Sequence, residues 1–298
     1  EDRVDVRVAK VSRELSMLAF NARVLYEAQD RRTPLLDRFR FLGIVQANLD
    51  EFYGIRVSGI REQIDAGVRS RSADGRTPTE QMQAIREATQ LLAEAQQETW
   101  RALVEELGAE GTQLVEWADL DAAVQARLSA RFMQEVFPVL TPLAVDPKLP
   151  FPHISSLSLS IAVRLRDPER GVGLFARVKV PQIIGRLVHV GDGRILLLES
   201  LIREHLHVLF AGHEVVDAHL FRITRDADIE VEEGEADDLL AAIEEELRQR
   251  RFGKVVRLEI EATAPDEVRR VLLDGLGLDA GAYASTRAGA HTCARTST

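Results

Sequence analysis

Ser156-Leu157-Ser158-Leu159-Ser160-Ile161-Ala162-Val163-Arg164-Leu165-Arg166 alternates polar and apolar side chains. That period of two is the pattern of a half-buried strand. It decides the fold, because the chain before it reads as helix and the chain after it mixes strands with helices. The fold class expected is therefore α+β: an all-helical N-terminal domain followed by an α+β domain.

Upstream, apolar residues return every three or four positions, the helical period. Ser12–Ala28 places Leu15, Leu18, Ala19, Val24 and Leu25 mostly on one face. Thr33-Pro34 is a start signal, a capping hydroxyl followed by proline at the first helical position. The helix it opens carries Leu35, Phe39, Leu42, Val45, Leu49 and Phe52 and is expected to run to Ala66. Gly67–Gly75 is a polar loop, and Thr77-Pro78-Thr79-Glu80 fits a capping box. The next helix carries Met82, Ile85, Leu92, Leu103 and Leu107 and stops at Gly108, a length of about 45 Å at about 1.5 Å per residue. One more helix, Asp119–Phe137, ends before a cluster of prolines at 138, 142, 147, 150 and 152.

Downstream, Asp167-Pro168-Glu169-Arg170-Gly171 has turn chemistry, and Gly173–Val180 reads as the partner strand of a hairpin. Arg186–Val190 and Arg194–Leu198 read as strands, and Leu198–Leu209 as a helix. Leu220–Arg225 and Ile229–Glu232 are expected as strands flanking Asp226-Ala227-Asp228. Glu235–Arg251 is an amphipathic helix whose acids lead and bases trail, which suits the helix dipole. Val255–Ile260 is a strand, and Ala264-Pro265-Asp266 opens a last helix to Leu276.

Composition narrows the function classes. At 298 residues the prior is about two domains. A net charge of −10 disfavours general nucleic-acid binding, which needs a basic surface. The one cysteine, Cys293, allows neither an intramolecular disulfide nor a Cys-based zinc site. No stretch approaches the ~18–20 apolar residues of a membrane span. Glu1-Asp2-Arg3-Val4-Asp5 lacks the apolar core of a signal peptide. The location expected is cytoplasmic, at most peripheral to a membrane. The first residue is not Met, so a few residues are expected upstream.

Two segments carry a resemblance. The first has Arg13-Glu14-Leu15-Ser16, Phe20-Asn21, Pro34-Leu35-Leu36-Asp37-Arg38, Phe41-Leu42-Gly43-Ile44 and Asn48-Leu49-Asp50-Glu51-Phe52-Tyr53. The second has Pro150-Phe151-Pro152-His153-Ile154-Ser155, Phe175-Ala176-Arg177-Val178-Lys179-Val180-Pro181 and Phe221-Arg222-Ile223-Thr224-Arg225-Asp226-Ala227-Asp228. Together they resemble the N-terminal and head domains of the bacterial polyphosphate kinase family. The resemblance covers Ser12–Leu278 and divides the chain into a helical domain 1–108, an α+β head domain 109–278 and a tail 279–298 expected to be disordered. A frameshift or an early end of the reading frame would produce such a tail; a natural short tail is the alternative. Met17 stands where the family usually has tryptophan.

What the resemblance implies is specific. ATP donates its γ-phosphate to a catalytic histidine, and the phosphohistidine extends a polyphosphate chain. The N-terminal domain lends the nucleotide a contact, and the residue matching that role is Asn48. The head domain serves homodimerisation. The catalytic histidine, the magnesium site and the phosphate-binding arginines lie in two C-terminal domains similar to phospholipase D. No catalytic residue and no metal ligand is therefore carried onto this chain, which is expected to be inactive alone. The alternative is a stand-alone, non-enzymatic interaction protein that dimerises with a full-length kinase.

The residues agree with that division. Phosphoryl transfer through histidine calls here for His-x-Lys, in which the lysine stabilises transferred charge. None of the seven histidines has lysine two residues on, and there is no Walker-type loop. Asn48 offers a donor and an acceptor, suited to an adenine or ribose edge. Asp50 and Glu51 are adjacent and point to different helix faces, so they form no carboxylate pair. His205 and His207 do not share a face for metal ligation, which prefers i, i+4 spacing. His153 is expected to hydrogen-bond within its loop. Arg69, Arg71 and Arg76, and the pair Arg177 and Lys179, are basic groups that could meet an anion, with solvent exposure as the default. The acidic run Asp226–Glu246 lacks the spacing of a calcium loop.

Overall fold

A computed structural model of the chain describes residues 12–145, 151–227 and 253–278, together with the backbone of 283–286. These fall into two compact units. One holds residues 12–100, 226–227 and 253, and the other holds 101–145, 151–225, 254–278 and 283–286.

The first unit is helical. α1 (Arg13–Gln29) is capped by Ser12, whose Oγ accepts from the Leu15 N–H at 3.4 Å, and it buries Leu18, Asn21, Leu25 and Ala28. α2 (Leu35–Glu51) starts one residue later than Thr33-Pro34 implies. Pro34 takes the cap position with no side-chain bond, and its carbonyl accepts from the Arg38 N–H. Thr33 is instead part of the preceding turn, its N–H donating to the Asp30 carbonyl. The two helices run antiparallel, with Arg38 Nε on the Ala28 carbonyl at 2.9 Å and Asn48 Nδ2 on Asn21 Oδ1 at 2.8 Å.

The helix expected from Leu35 to Ala66 is interrupted. A π-helical turn (Phe52–Val57) separates α2 from α3 (Ser58–Asp65). The wider turn lets Phe52, Tyr53 and Val57 all face inward. α4 (Pro78–Ala109) begins with the expected capping box: the Glu80 N–H donates to Thr77 Oγ1 at 3.3 Å, and the Thr77 N–H to Glu80 Oε2 at 2.8 Å. Met82, Ile85 and Leu92 of α4 are buried, and Phe39 meets Trp100 edge to face at 5.6 Å.

The second unit is α+β, as expected. In chain order it contains β1 (Gln113–Val115), α5 (Ala122–Arg131), β2 (Leu143–Val145), β3 (Ser160–Arg166), β4 (Gly173–Lys179), β5 (Leu187–Gly191), β6 (Arg194–Leu197), α6 (Leu198–Glu204), α7 (Leu206–Leu209), β7 (Glu214–Arg225), β8 (Val255–Glu261), α8 (Asp266–Leu276) and β9 (Tyr283–Thr286). One sheet has the order β2-β4-β3-β7-β8-β9, antiparallel except for the parallel pair β8–β9. A smaller sheet, β1-β6-β5, pairs β1 with β6 in parallel. Phe132, Leu196 and Leu201 pack with Ile161, Val163 and Val178. Ile154 and, from α8, Val268 and Leu272 pack with Ala162, Phe175 and Phe221.

The second of those layers corrects the reading of β3. Its alternation implies one solvated face, yet Ser158 and Ser160 are 2% and 0% exposed. α8 and Ile154 build a core over the face that the serines share with Ala162. Two other expectations change. The helix 119–137 resolves into α5, a π-helical turn (Phe132–Val136) and a 3-10 turn (Phe137–Val139). Strand β7 begins at Glu214 rather than Leu220. The expected strand 229–232 and helix 235–251 lie outside the described residues. Within the tail 279–298 the described backbone, 283–286, forms β9; the rest of the tail lies outside the described residues.

Candidate functional site

Asn48 lies on α2, half-buried, four residues before the π-helical turn begins. Such turns recur at functional sites. The segment is held at Gly54, whose carbonyl accepts from Ser58 Oγ at 2.9 Å and from the Ala227 N–H at 2.8 Å. Behind Asn48, the buried Asn21 accepts its Nδ2 at 2.8 Å. Two residues back along α2, and so on another face of the helix, Gln46 Nε2 donates to Asp50 Oδ1 at 3.0 Å, and Gln96 Nε2 of α4 reaches Gln46 Oε1 at 3.4 Å. Gln29 Nε2 donates to Thr99 Oγ1 at 2.9 Å. What the helices bring together at Asn48 is thus the single amide pair with Asn21, and Asn48 itself stays half-buried. Sequence reasoning quoted Asn21 inside a motif but assigned it nothing. No local rule pairs residues on two different helices.

The other sequence candidates separate from it. Asp50 is bonded to Gln46 and Glu51 is exposed, so they form no paired carboxylates. Arg71 Nη1 donates to the Gly75 carbonyl at 2.6 Å and to Glu80 at 3.1 Å. Arg76 Nη1 meets Asp74 at 2.6 Å, while Arg69 is exposed.

In the α+β unit His205 is a core residue. Its Nδ1 donates to the Leu201 carbonyl at 2.8 Å, Nε2 accepts from Ser129 Oγ at 2.9 Å, and the ring stacks on Phe132 at 4.3 Å. His207 is exposed, with Nδ1 3.0 Å from the Glu204 carbonyl. Arg225 Nη2 lies 3.5 Å from His153 Nδ1. Among the described residues no group of three His, Cys, Asp or Glu side chains is arranged to hold a metal ion. Among them, too, no helix is long and apolar enough to cross a membrane.

Arg177 and Lys179 share a face of β4, but Arg177 is 5% exposed. Its Nε donates to Ser160 Oγ at 3.1 Å and its Nη2 has no hydrogen-bond partner. Burial pulls this guanidinium below its ordinary pKa.

Charges nearby form a chain. Arg164 holds Asp217 and, at 2.5 Å, Glu267. The His219 ring lies between Asp217, 3.4 Å from Nε2, and Glu261, 3.7 Å from Nδ1. Arg203 reaches Glu261 at 3.1 Å. The Arg164 bond holds the Asp217 carboxyl below the usual range. Burial would raise the Glu261 carboxyl, but His219, Arg203 and the Leu220 N–H beside it bring it lower. Each carboxylate faces a cation, which is the arrangement of structural ion pairs.

Comparison with known proteins gives this arrangement its context. Residues 10–115 match the polyphosphate kinase N-terminal domain, and residues 123–296 match the polyphosphate kinase middle domain. The chain is 48% identical over 287 residues to a polyphosphate kinase of Mycobacterium tuberculosis (strain ATCC 25618 / H37Rv), covering 91% of this chain and 39% of that protein. It is 49% identical over 283 residues to a polyphosphate kinase of Mycobacterium ulcerans (strain Agy99), covering 91% of this chain and 38% of that one. The crystal structure of polyphosphate kinase from Porphyromonas gingivalis superposes with a TM-score of 0.75 at 28% identity, over 94% of this chain and 39% of that chain. Two successive domains of one kind of phosphotransferase, in order, define the class. The chain belongs to the polyphosphate kinase family and spans the N-terminal and middle domains, about 39% of the length of the curated relatives it matches.

Proposed function

We propose that residues 1–108 and 109–278 act as the helical and head domains of an enzyme that moves the γ-phosphate of ATP onto polyphosphate through a phosphohistidine. In this reading Asn48 touches the nucleotide, the head domain forms a homodimer, and the protein works in the cytoplasm. The observation that carries it is the Asn48 amide, half-buried and bonded to Asn21, in the domain that the family match names.

The phosphoryl-transfer step is assigned to residues outside this chain, since none of its histidines has the His-x-Lys setting. The magnesium site is likewise assigned to residues outside this chain. Hydrogen bonds from a single amide contribute about 0.5–1.5 kcal/mol each, so measurable ATP affinity is not expected of the isolated chain. Incubation of the pure chain with γ-labelled ATP should give no acid-labile phosphohistidine and no polyphosphate. Appearance of either overturns the division of labour. In the full-length enzyme Asn48→Ala should weaken ATP binding about two- to tenfold, and an unchanged KM for ATP would remove Asn48 from the site.

A further inference from the structure

We infer that Arg177, Lys179 and Ser160 form a binding site for one phosphoryl-type oxyanion on the large sheet. The site takes orthophosphate or the end of a phosphate chain. It lies in the α+β unit and stands or falls independently of the Asn48 reading.

Arg177 of β4 pairs with Ala162 of β3, and Lys179 with Ser160, so these side chains share one face of the sheet. Arg177 is 5% exposed and Ser160 is buried. A buried guanidinium is costly unless a counter-charge and hydrogen bonds meet it. Nε donates to Ser160 Oγ at 3.1 Å, while Nη2 has no partner among the described residues. Burial alone moves the Arg177 pKa; among the described residues no charged neighbour opposes the shift. Asp217, the carboxylate that faces the same way on β7, is held by Arg164, and so is Glu267 of α8. The fold thus buries a cation and commits the nearby acids elsewhere.

The donor set is the one an oxyanion needs. The guanidinium supplies a planar fork and the ammonium a point charge. The Ser160 hydroxyl accepts from Nε and can still donate its own hydrogen. Three donors of different shape suit a tetrahedral oxyanion, with an oxygen for each, better than a planar carboxylate. Arg177 forms the floor and half-buried Lys179 the rim. On the flank Leu143 of the edge strand β2, which pairs with Arg177, is 36% exposed, so solvent lies close to the site.

The test titrates the 298-residue chain with sodium orthophosphate and, separately, with sodium tripolyphosphate. Sodium chloride at equal ionic strength is the control. NMR follows the Arg177 Nε–H and the backbone amides of β4, which stay readable in the variants. At least one phosphate should shift these signals where chloride does not. Orthophosphate binding as tightly as tripolyphosphate assigns the site to free phosphate; tighter binding of tripolyphosphate assigns it to a chain end. Arg177→Met should weaken either ligand about tenfold or more. Because it removes an uncompensated buried cation, it should leave the phosphate-free unfolding midpoint at Trp117 unchanged or higher. Lys179→Gln should weaken binding about two- to fivefold. A structural arginine whose spare N–H rests on a buried water would give no phosphate-dependent shift, and that result overturns the inference. Equal phosphate affinity in a folded Arg177→Met chain overturns it too. If Arg177→Met does not fold, unchanged affinity in Lys179→Gln does the same.

Discussion

The two units tie their elements together with different chemistry. Between α1, α2 and α4 the bonds Asn48–Asn21, Gln29–Thr99 and Gln96–Gln46 are uncharged. On the large sheet, and between it and α6, they are ionic: Arg164–Asp217, Arg222–Glu259 and, from α6, Arg203–Glu261. Neutral amides do not titrate and are little affected by salt, whereas carboxylates held by arginines lose their partner charge in acid. The candidate nucleotide contact thus rests on a bond that is indifferent to pH. The chain's two tryptophans, Trp100 in the helical unit and Trp117 in the α+β unit, let each be followed separately.

The strongest way to break the contrast is a cavity in one unit alone. Phe132 is 0% exposed, and Phe132→Ala should cost about 3–5 kcal/mol. The urea midpoint reported by Trp117 should fall, while that of Trp100, read in a Trp117→Phe background, stays put. An equal fall would mean that the units unfold together. A smaller effect is expected at Gly193, where φ is +70° and an added Cβ would lie 2.0 Å from the Gly111 carbonyl oxygen. Gly193→Ala must open the small sheet where the Gln113 N–H meets the Gly193 carbonyl, at about 1–3 kcal/mol, with faster hydrogen exchange at Gln113 as the local sign.

Acid sharpens the contrast without a mutation. A carboxyl whose folded pKa lies below its unfolded value adds stability that is complete above the unfolded value and is lost as the pH falls through the folded one. Asp217 and Glu261 are of this kind, with unfolded values of about 3.9 and 4.3. The Trp117 midpoint should therefore fall as the pH drops below about 4.5, and Asp217→Asn should flatten that slope relative to the wild-type chain. Parallel slopes would show that the ionic chain contributes little. The smallest effect is local. In the α1–α2 link the Arg32 side chain holds Asp30 at a pKa of about 2. Arg32→Ala should raise it only part of the way to about 3.9, because the backbone N–H at position 32 still donates. Carboxyl NMR would read the change with the Trp100 midpoint nearly fixed.

Local features were legible before the structure was known. Thr77 and Glu80 are three residues apart and form their capping box; Asp167–Gly171 turns β3 into β4. What depended on distant partners was not. Gln113-Leu114-Val115 is too short to announce a strand, and it becomes one only by pairing with Arg194–Leu196. Ser158 and Ser160 read as solvent-facing because the helix that covers them begins more than a hundred residues later, at Asp266. Asn48 stood out through its motif, and no periodicity in the sequence pairs it with Asn21.

Each unit also carries one π-helical turn, Phe52–Val57 and Phe132–Val136. Such a turn is what a single-residue insertion leaves behind in an α-helix. The wider i→i+5 closure takes up the extra residue within one turn, so Val57 and Ile60 beyond it still lie on the packed face with Leu49 and Phe52. In an evolutionary lineage the two turns are therefore points where one codon gained or lost is absorbed locally and the helical faces on either side keep their partners.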